Sequence, residues 1–264
     1  MSPSGFYAWQ SRPESDRKAE DRRLGVLVRE AHERGRRTYG CPRVHAVLKA
    51  GGEHVSRKRV GRLMREQGLC GVSRRRRTRT TDSRHDLPVA ANLLDRAFTA
   101  EAPNERWVGD VTYLSIPQGW LYLAVILDLY SRMVVGWALG MVNDRWLALR
   151  ALDQAVRRRR PGHGLLHHSD RGSPYASEDY QKKLASWGIV CSMSRSGDCY
   201  DNAAMESWFA TFKTELGESF AGEADAEAKV FDYVEVFYNH QRLHSTLGYR
   251  SPYAFERAAS ISAA

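Results

Sequence analysis

Three acids stand where a carboxylate is hard to account for as ordinary surface. Asp110 interrupts the apolar run Trp107–Ile116, Asp170 follows the run Gly164–His168, and Glu206 lies within Asp201–Leu216. A carboxylate inside an apolar strand is costly unless it is paired or metal-bound. An acid at a strand end sits where sheets usually bind ligands. At about 100° per residue, Glu206 falls at the border of the helix face made by Met205, Phe209, Phe212 and Leu216. Three carboxylates with no cysteine beside them describe a hard-cation site. Mg²⁺ or Mn²⁺ prefers oxygen ligands and keeps positions open for phosphate. Two such ions roughly 3.5–4 Å apart can activate a water or a 3′-hydroxyl for in-line displacement at phosphorus and stabilise the leaving oxygen. Any one of the three alone reads as a strand cap or an exposed helix acid; the triple carries the argument.

These acids need elements to position them. Trp107–Ile116, Trp120–Tyr130 and Met133–Leu139 read as three strands joined so closely that they form an antiparallel meander, with Pro117-Gln-Gly119 as the first turn. Asp144–Arg160 reads as a helix with Trp146, Leu149, Leu152, Ala155 and Val156 at helical spacing. Gly164–His168 is a fourth strand, Glu178–Trp187 a helix, Ile189–Met193 a fifth strand, and Asp201–Leu216 a helix. The order β-β-β-α-β-α-β-α predicts an α/β domain with a mixed five-stranded sheet.

Other residues near the acids have two readings each. Lys213, seven positions after Glu206, either holds a phosphate or is a solvated helix lysine. Asn202, four before it, orients Glu206 or a terminal base, or caps the helix. His168 steers Asp170 or meets DNA, or is a neutral strand-end histidine. Arg242 and His244 follow a helix with Phe231, Val234, Phe237 and Tyr238 as its stripe; they contact phosphate or bond to the loop ahead of Pro252. The run Arg157–Arg160 suits a helix C-terminus as well as DNA.

Charge is distributed unevenly. Residues 1–100 hold 23 Lys and Arg against 11 Asp and Glu, a net of +12, while residues 101–264 carry a net of −3. A basic third attached to a slightly acidic remainder points to a nucleic-acid-binding arm. Leu24, Leu27, Val28 and Ala31, then Val44, Val47 and Leu48, then Val60, Leu63 and Met64 mark three short helices, stopped by Gly35, Gly51-Gly52 and Gly68. Ser56 is the expected N-cap of the third. Two helices, a glycine turn and a third helix match a helix-turn-helix pattern. The third helix carries Arg57, Lys58, Arg59, Arg62 and Arg65 outside its stripe, with only Glu66 opposing. Such side chains suit phosphates and guanine edges in a major groove, or form a solvated basic face. Arg74, Arg75, Arg76 and Arg77 then read as a basic linker on a phosphate backbone. The expected layout is a DNA-binding arm at 1–73, a linker at 74–100, a catalytic core at 101–220 and a C-terminal helix and tail at 221–264.

Several classes are excluded. The best apolar run, Leu121–Leu127, is far short of the ~18 residues of a membrane span. Met1–Gln10 lacks the pattern of a signal peptide. Cys41, Cys70, Cys191 and Cys199 form no CxxC pair, which disfavours zinc and fits a reducing cytosol.

Trp107-Val-Gly-Asp110-Val-Thr-Tyr, His168-Ser-Asp170-Arg-Gly-Ser-Pro-Tyr and Ser196-Gly-Asp-Cys-Tyr-Asp-Asn202-Ala-Ala-Met-Glu206-Ser together resemble the catalytic signature of the DDE transposases of bacterial insertion sequences. Thirty-five residues separate Asp170 from Glu206, the integrase-type spacing. Tyr238-Asn-His-Gln-Arg242-Leu-His244 through Pro252, Ser4-Gly-Phe-Tyr-Ala-Trp9 and Thr38-Tyr-Gly-Cys-Pro-Arg43-Val are similar to the OrfB product of the insertion-sequence-three type. The resemblance runs from about residue 4 to 256.

It implies an RNase H-like, retroviral integrase-like core with Asp110, Asp170 and Glu206 as catalytic ligands of two Mg²⁺ ions. It implies hydrolysis at the element's ends to free a 3′-hydroxyl, followed by strand transfer into target DNA. The implied partners are double-stranded DNA (terminal inverted repeats and target), the upstream frame product OrfA by frameshift fusion or association, and further copies of the chain on DNA. The implied location is the bacterial cytoplasm, on the nucleoid. The chain has no sustained leucine heptads, so the oligomerisation zipper is expected from the upstream frame. Two other readings are a non-catalytic DNA-binding regulator of transposition, disfavoured by the presence of all three acids, and an RNase H-like nuclease without strand transfer, disfavoured by the basic arm and tail motif.

Overall fold

The computed structural model describes residues 2–10, 12–73, 89–195 and 199–262. The chain divides into two units, Met1–Ser73 and Arg74–Ala264. The Arg74–Arg77 run lies outside the described residues, as do residues 196–198.

The first unit holds α1 (Pro3–Gln10), α2 (Asp16–Arg34), α3 (Cys41–Ala50) and α4 (Arg57–Glu66). The last three bury Leu24, Val28 and Ala31, then Val44 and Leu48, then Val60, Leu63 and Met64. Ser56 caps α4, its Oγ accepting from the Arg59 amide at 3.2 Å. The basic face of α4 is less open than its composition suggests. Arg59 Nε and Arg62 Nη2 donate to the two oxygens of Asp21 on α2, at 2.8 and 2.7 Å, and Arg62 Nη1 donates to Glu66. The expectation that Glu66 alone opposes the five cations is therefore corrected, because helix packing brings Asp21 across. Arg57, Lys58 and Arg65 are exposed.

The second unit contains β1 (Arg106–Ile116), β2 (Gly119–Asp128), β3 (Val134–Gly140), α5 (Arg145–Arg159), β4 (Leu166–Ser169), α6 (Ser173–Ala176), α7 (Glu178–Ser186), β5 (Val190–Met193), α8 (Ala203–Glu215), α9 (Glu223–Phe231) and α10 (Pro252–Ser262). The sheet order is β3-β2-β1-β4-β5. β1, β2 and β3 pair antiparallel, while β4 joins β1 and β5 joins β4 in parallel. The mixed five-stranded sheet and the order of its elements are those expected, with the short α6 added.

Trp107, Ala124, Ile126 and Val135 form one core with Ala148, Ala151, Leu152 and Ala155 of α5 and with Tyr180 and Leu184 of α7. The buried face of α5 is displaced from the expected one, leaving Trp146 53% exposed. The reason is a close approach to β3. A Cβ on Gly136 would lie 2.2 Å from the Ala151 carbonyl oxygen, so α5 presents alanines there. The C-terminal helix is also corrected. From Asp232 to Tyr238 it widens into a π-helix, whose i→i+5 bonds turn the buried face. Tyr233 goes inward and Phe231 is left exposed.

The free edge of β3 is occupied, and that of β5 is met at its last residue. The Asn239 side chain accepts from Val134 N and donates to Val134 O, Gln154 accepts from Trp137 N, and Arg150 donates to Leu139 O. On β5, Met193 N donates to Ala91 O. Residues 91–96, assigned from sequence to the linker, are thus hydrogen-bonded to the core.

One buried group gives the core a pH dependence. His167 is fully buried, with Nε2 3.1 Å from the Tyr180 hydroxyl and Nδ1 without a partner among the described residues. Burial pushes its imidazole down from 6.5 to about 3, and His168 adds to the shift. Between those values the unfolded chain binds the proton and the folded chain does not, so stability is lost as pH falls below about 6.5. About 2 kcal/mol should go between pH 7 and pH 5 from this residue. Urea unfolding at the two pH values should show a smaller loss in His167→Phe; an identical loss in variant and parent would refute the assignment.

Candidate active site

The pairing register brings two of the three acids together. The β1–β4 ladder ends at Val108↔His168 and Gly109↔Ser169, so Asp110 and Asp170 occupy the next position on adjacent parallel strands. Adjacent strands lie about 4.8 Å apart, and laterally paired residues point to the same face. A Cβ on Gly109 would lie 3.0 Å from His167 Nε2, so the glycine lets the buried histidine pack beside the catalytic strand. Strand alternation puts Asp110 on the face opposite Trp107 and Gly109. The start of α8 meets it there: Asn202 Nδ2 donates to Asp110 Oδ2 at 2.7 Å, and Val111 N donates to Asp110 Oδ1 at 2.7 Å. Asp170 Oδ1 accepts from Gly172 N at 2.8 Å, which turns the chain after β4. Glu206 is exposed on α8, one helical turn beyond Asn202.

The electrostatics show that the acids share one region. The Asp110 carboxyl is pushed well above the ordinary carboxylate range, by burial first and the Asp170 charge next, with a smaller push from Glu206. The Val111 amide and Asn202 work the other way without cancelling it. Like charges gathered at a strand end are relieved by a cation. Among the described residues no three His, Cys, Asp or Glu side chains form a ready-made cage. Mg²⁺ needs no such cage, since it is commonly held by one or two carboxylates, waters and substrate phosphates. Asp110 and Asp170 fit that donor set, while Glu206 stands on a separate element, α8.

Of the remaining sequence candidates, Asn202 stays with the acids. Asn202 makes no cap bond with its side chain and serves Asp110 instead. His168 is buried between Ser192 Oγ at 2.8 Å and Ser194 Oγ at 3.2 Å, and burial takes its imidazole down to about 4. Lys213 is neither a solvated lysine nor turned out to phosphate: its side chain is buried, 4.4 Å from the Tyr113 ring centre and 3.7 Å from Glu218. Arg242 is buried and donates from Nε and Nη2 to Glu215 at 2.7 and 2.6 Å, so its place as a DNA contact is corrected. His244 is buried too, its amide donating to Arg250 O and its ring edge-on to Tyr238. In the Arg157–Arg160 run, Arg158 pairs with Glu235 and Arg159 with Glu256. Asp201, which the sequence did not single out, is the missed residue. Its fully buried side chain gathers Asn92, Arg96 and Arg195. Burial tends to raise its carboxyl, but the bonds from Arg195 bring it down to about 2. Its place beside Asn202 in the motif was the available signal.

Residues 100–199 and 187–252 match two models described as integrase core domain, and residues 18–77 match an HTH-like domain. The chain is 45% identical to the insertion element IS600 31 kDa protein of Shigella sonnei, over 97% of this chain and 94% of that protein. It is 40% identical to the InsF transposase of insertion sequence IS3A from Escherichia coli K12, over 97% of this chain and 90% of that one. Among solved structures, a simian T-cell lymphotropic virus intasome covers 80% of this chain and 69% of its own at 15% identity, with a TM-score of 0.49. The HTLV-2 integrase catalytic core domain in complex with magnesium covers 60% and 99% at 15% identity, with a TM-score of 0.45. The basic helical unit, the mixed sheet with Asp110 within β1 and Asp170 just after β4, and kinship along nearly the whole chain place this protein in the IS3 family of insertion-sequence transposases.

Proposed function

We propose that this transposase cuts and joins DNA by divalent-metal-dependent displacement at phosphorus, with Asp110, Asp170 and Glu206 as the metal ligands. The observation that carries the reading is the placement of Asp110 and Asp170 one position beyond the last β1–β4 pair, Gly109↔Ser169, where the Asp170 charge adds to burial in raising the Asp110 carboxyl. Two Mg²⁺ or Mn²⁺ ions held there would supply Lewis acidity toward the scissile phosphate and the attacking oxygen. The chain's own part is to hold the acids: Val111 N and Asn202 fix Asp110, and the turn at Gly172 fixes Asp170.

DNA is brought in by the helical arm, whose exposed Arg57, Lys58 and Arg65 are the described cations of α4 that face solvent. The linker arginines Arg74–Arg77 add phosphate contacts in this reading. Association with the upstream frame product and with further copies on the DNA belongs to the same proposal, as does a cytoplasmic, nucleoid-bound location. Among the described residues no helix is long and apolar enough to cross a membrane.

The test is a duplex carrying the terminal repeats of the element that encodes this chain. With Mg²⁺ or Mn²⁺, and the upstream product supplied, nicks bearing 3′-hydroxyls and joined products are expected; with EDTA neither should form. Equal yields in EDTA would overturn the metal reading. Nicks without joined products would favour a nuclease.

A further inference from the structure

We propose that Asp201 is a positioning residue for the catalytic carboxylates, and that residues 92–96, upstream of the integrase-core match, hold it in place. The proposal rests on the metal-carboxylate reading above and extends it to residues that reading does not use.

Asp201 Oδ2 accepts from Asn92 Nδ2 at 2.8 Å, from the Arg195 amide at 2.9 Å and from Arg195 Nε at 3.2 Å. Oδ1 accepts from Arg195 Nη2 at 3.1 Å, with Arg96 Nε 3.5 Å away. Asn92 is itself locked, because its Oδ1 accepts from Asp95 N at 3.0 Å. A fully buried carboxylate with this many donors has one available position, and it fixes the backbone at the start of α8.

The next residue converts that anchor into site geometry. Asn202 is 8% exposed and spends Nδ2 on Asp110 Oδ2, while its buried Oδ1 has no partner among the described residues. Nothing on the far side of the amide sets its orientation. The direction of the Asn202–Asp110 bond is therefore inherited from the backbone that Asp201 pins. The same backbone sets the start of the helix on which Glu206 stands one turn later.

A second branch from the same segment reaches the other acid. Leu93 N and Leu94 N both donate to Ser192 Oγ, at 2.9 and 3.2 Å. With its oxygen so occupied, Ser192 directs its own proton to His168 Nδ1 at 2.8 Å. That leaves the His168 proton on Nε2, donating to Ser194 Oγ at 3.2 Å, and Ser194 Oγ donates to the Ser169 carbonyl at 3.3 Å. Ser169 precedes Asp170. One short segment thus supports Asp110 and Glu206 through Asp201, and Asp170 through Ser192.

The test uses the full chain with Asn92→Ala and Asp201→Asn, each measured for Mn²⁺ binding by electron paramagnetic resonance without DNA, and for DNA cleavage. Residues behind metal ligands commonly matter about tenfold or more for metal affinity or rate. Both variants should bind Mn²⁺ about tenfold more weakly and lose about tenfold in kcat, with KM for DNA unchanged. Asn92 is half-buried, so Asn92→Ala stays folded even if Asp201→Asn does not, which its thermal unfolding would show. Parental Mn²⁺ affinity and kcat in folded Asn92→Ala would overturn the positioning role. Asp110→Asn is the control for the underlying reading. If it binds Mn²⁺ and cuts like the parent, the metal site itself is misassigned. If it is inactive while Asn92→Ala is normal, only the positioning role falls.

Discussion

Asp110→Asn, Asp170→Asn and Glu206→Gln should each lower DNA cleavage about a thousandfold or more, the equivalent of roughly 4 kcal/mol of transition-state stabilisation lost with a metal-held oxygen. DNA affinity should hold in all three, because the basic helices belong to the other unit. A further consequence separates charge from shape. The Asp110 carboxyl is held above its ordinary range by burial and by Asp170, so in metal-free protein its charge opposes folding. Asp110→Asn removes that charge and keeps the size, and its thermal midpoint in EDTA should equal or exceed the parent's. A dead enzyme that is at least as stable is the signature of a site built for a cation rather than for the fold. Full cleavage by any of the three variants would refute the assignment of that residue.

Arg242→Ala should destabilise the second unit by about 3–5 kcal/mol, the usual result of stripping one partner from a buried ion pair. The Arg242 and Glu215 side chains are 4% and 7% exposed, joined by two hydrogen bonds, and Tyr233 donates to the same carboxylate at 2.8 Å. Removing the guanidinium leaves the buried Glu215 side chain with the Tyr233 phenol as its remaining described donor. Replacing both together, Glu215→Leu with Arg242→Met, should cost much less, because no orphaned charge remains. Urea unfolding gives the stability, and DNA titration at several salt concentrations gives the contact. A normally stable Arg242→Ala whose DNA affinity falls with a shallower salt slope would restore the phosphate-contact reading.

The two arginine sets explain how far the sequence could be read. The order of strands and helices was legible because apolar runs and their stops repeat locally, within a few residues. The acids were legible because an Asp inside the apolar run Trp107–Ile116 is conspicuous whatever surrounds it. Which cations face solvent was not legible, because that depends on partners far along the chain. Arg59 and Arg62 meet an acid about forty positions earlier, and Arg242 meets one 27 positions earlier. A basic residue looks the same in a sequence whether its acid is across a helix interface or absent. Lys213 erred for the same reason: its helical alignment with Glu206 was right, but the alignment does not reveal Tyr113 and Glu218 beside it. Asp201 was passed over because an acid opening the run Asp201–Leu216 is unremarkable in the sequence; only the fold brings Asn92 to it from 109 positions away.

The occupied sheet edges have a consequence for crowding. A bare outer strand is a template on which another chain can grow by backbone pairing, and twin copies are the most dangerous templates because every edge matches. Here the amide of Asn239, Gln154 and Arg150 use up main-chain groups of β3, and Ala91 takes up the last amide of β5. A second copy meeting these edges is left to touch through side chains, which separate readily, and not through a shared sheet.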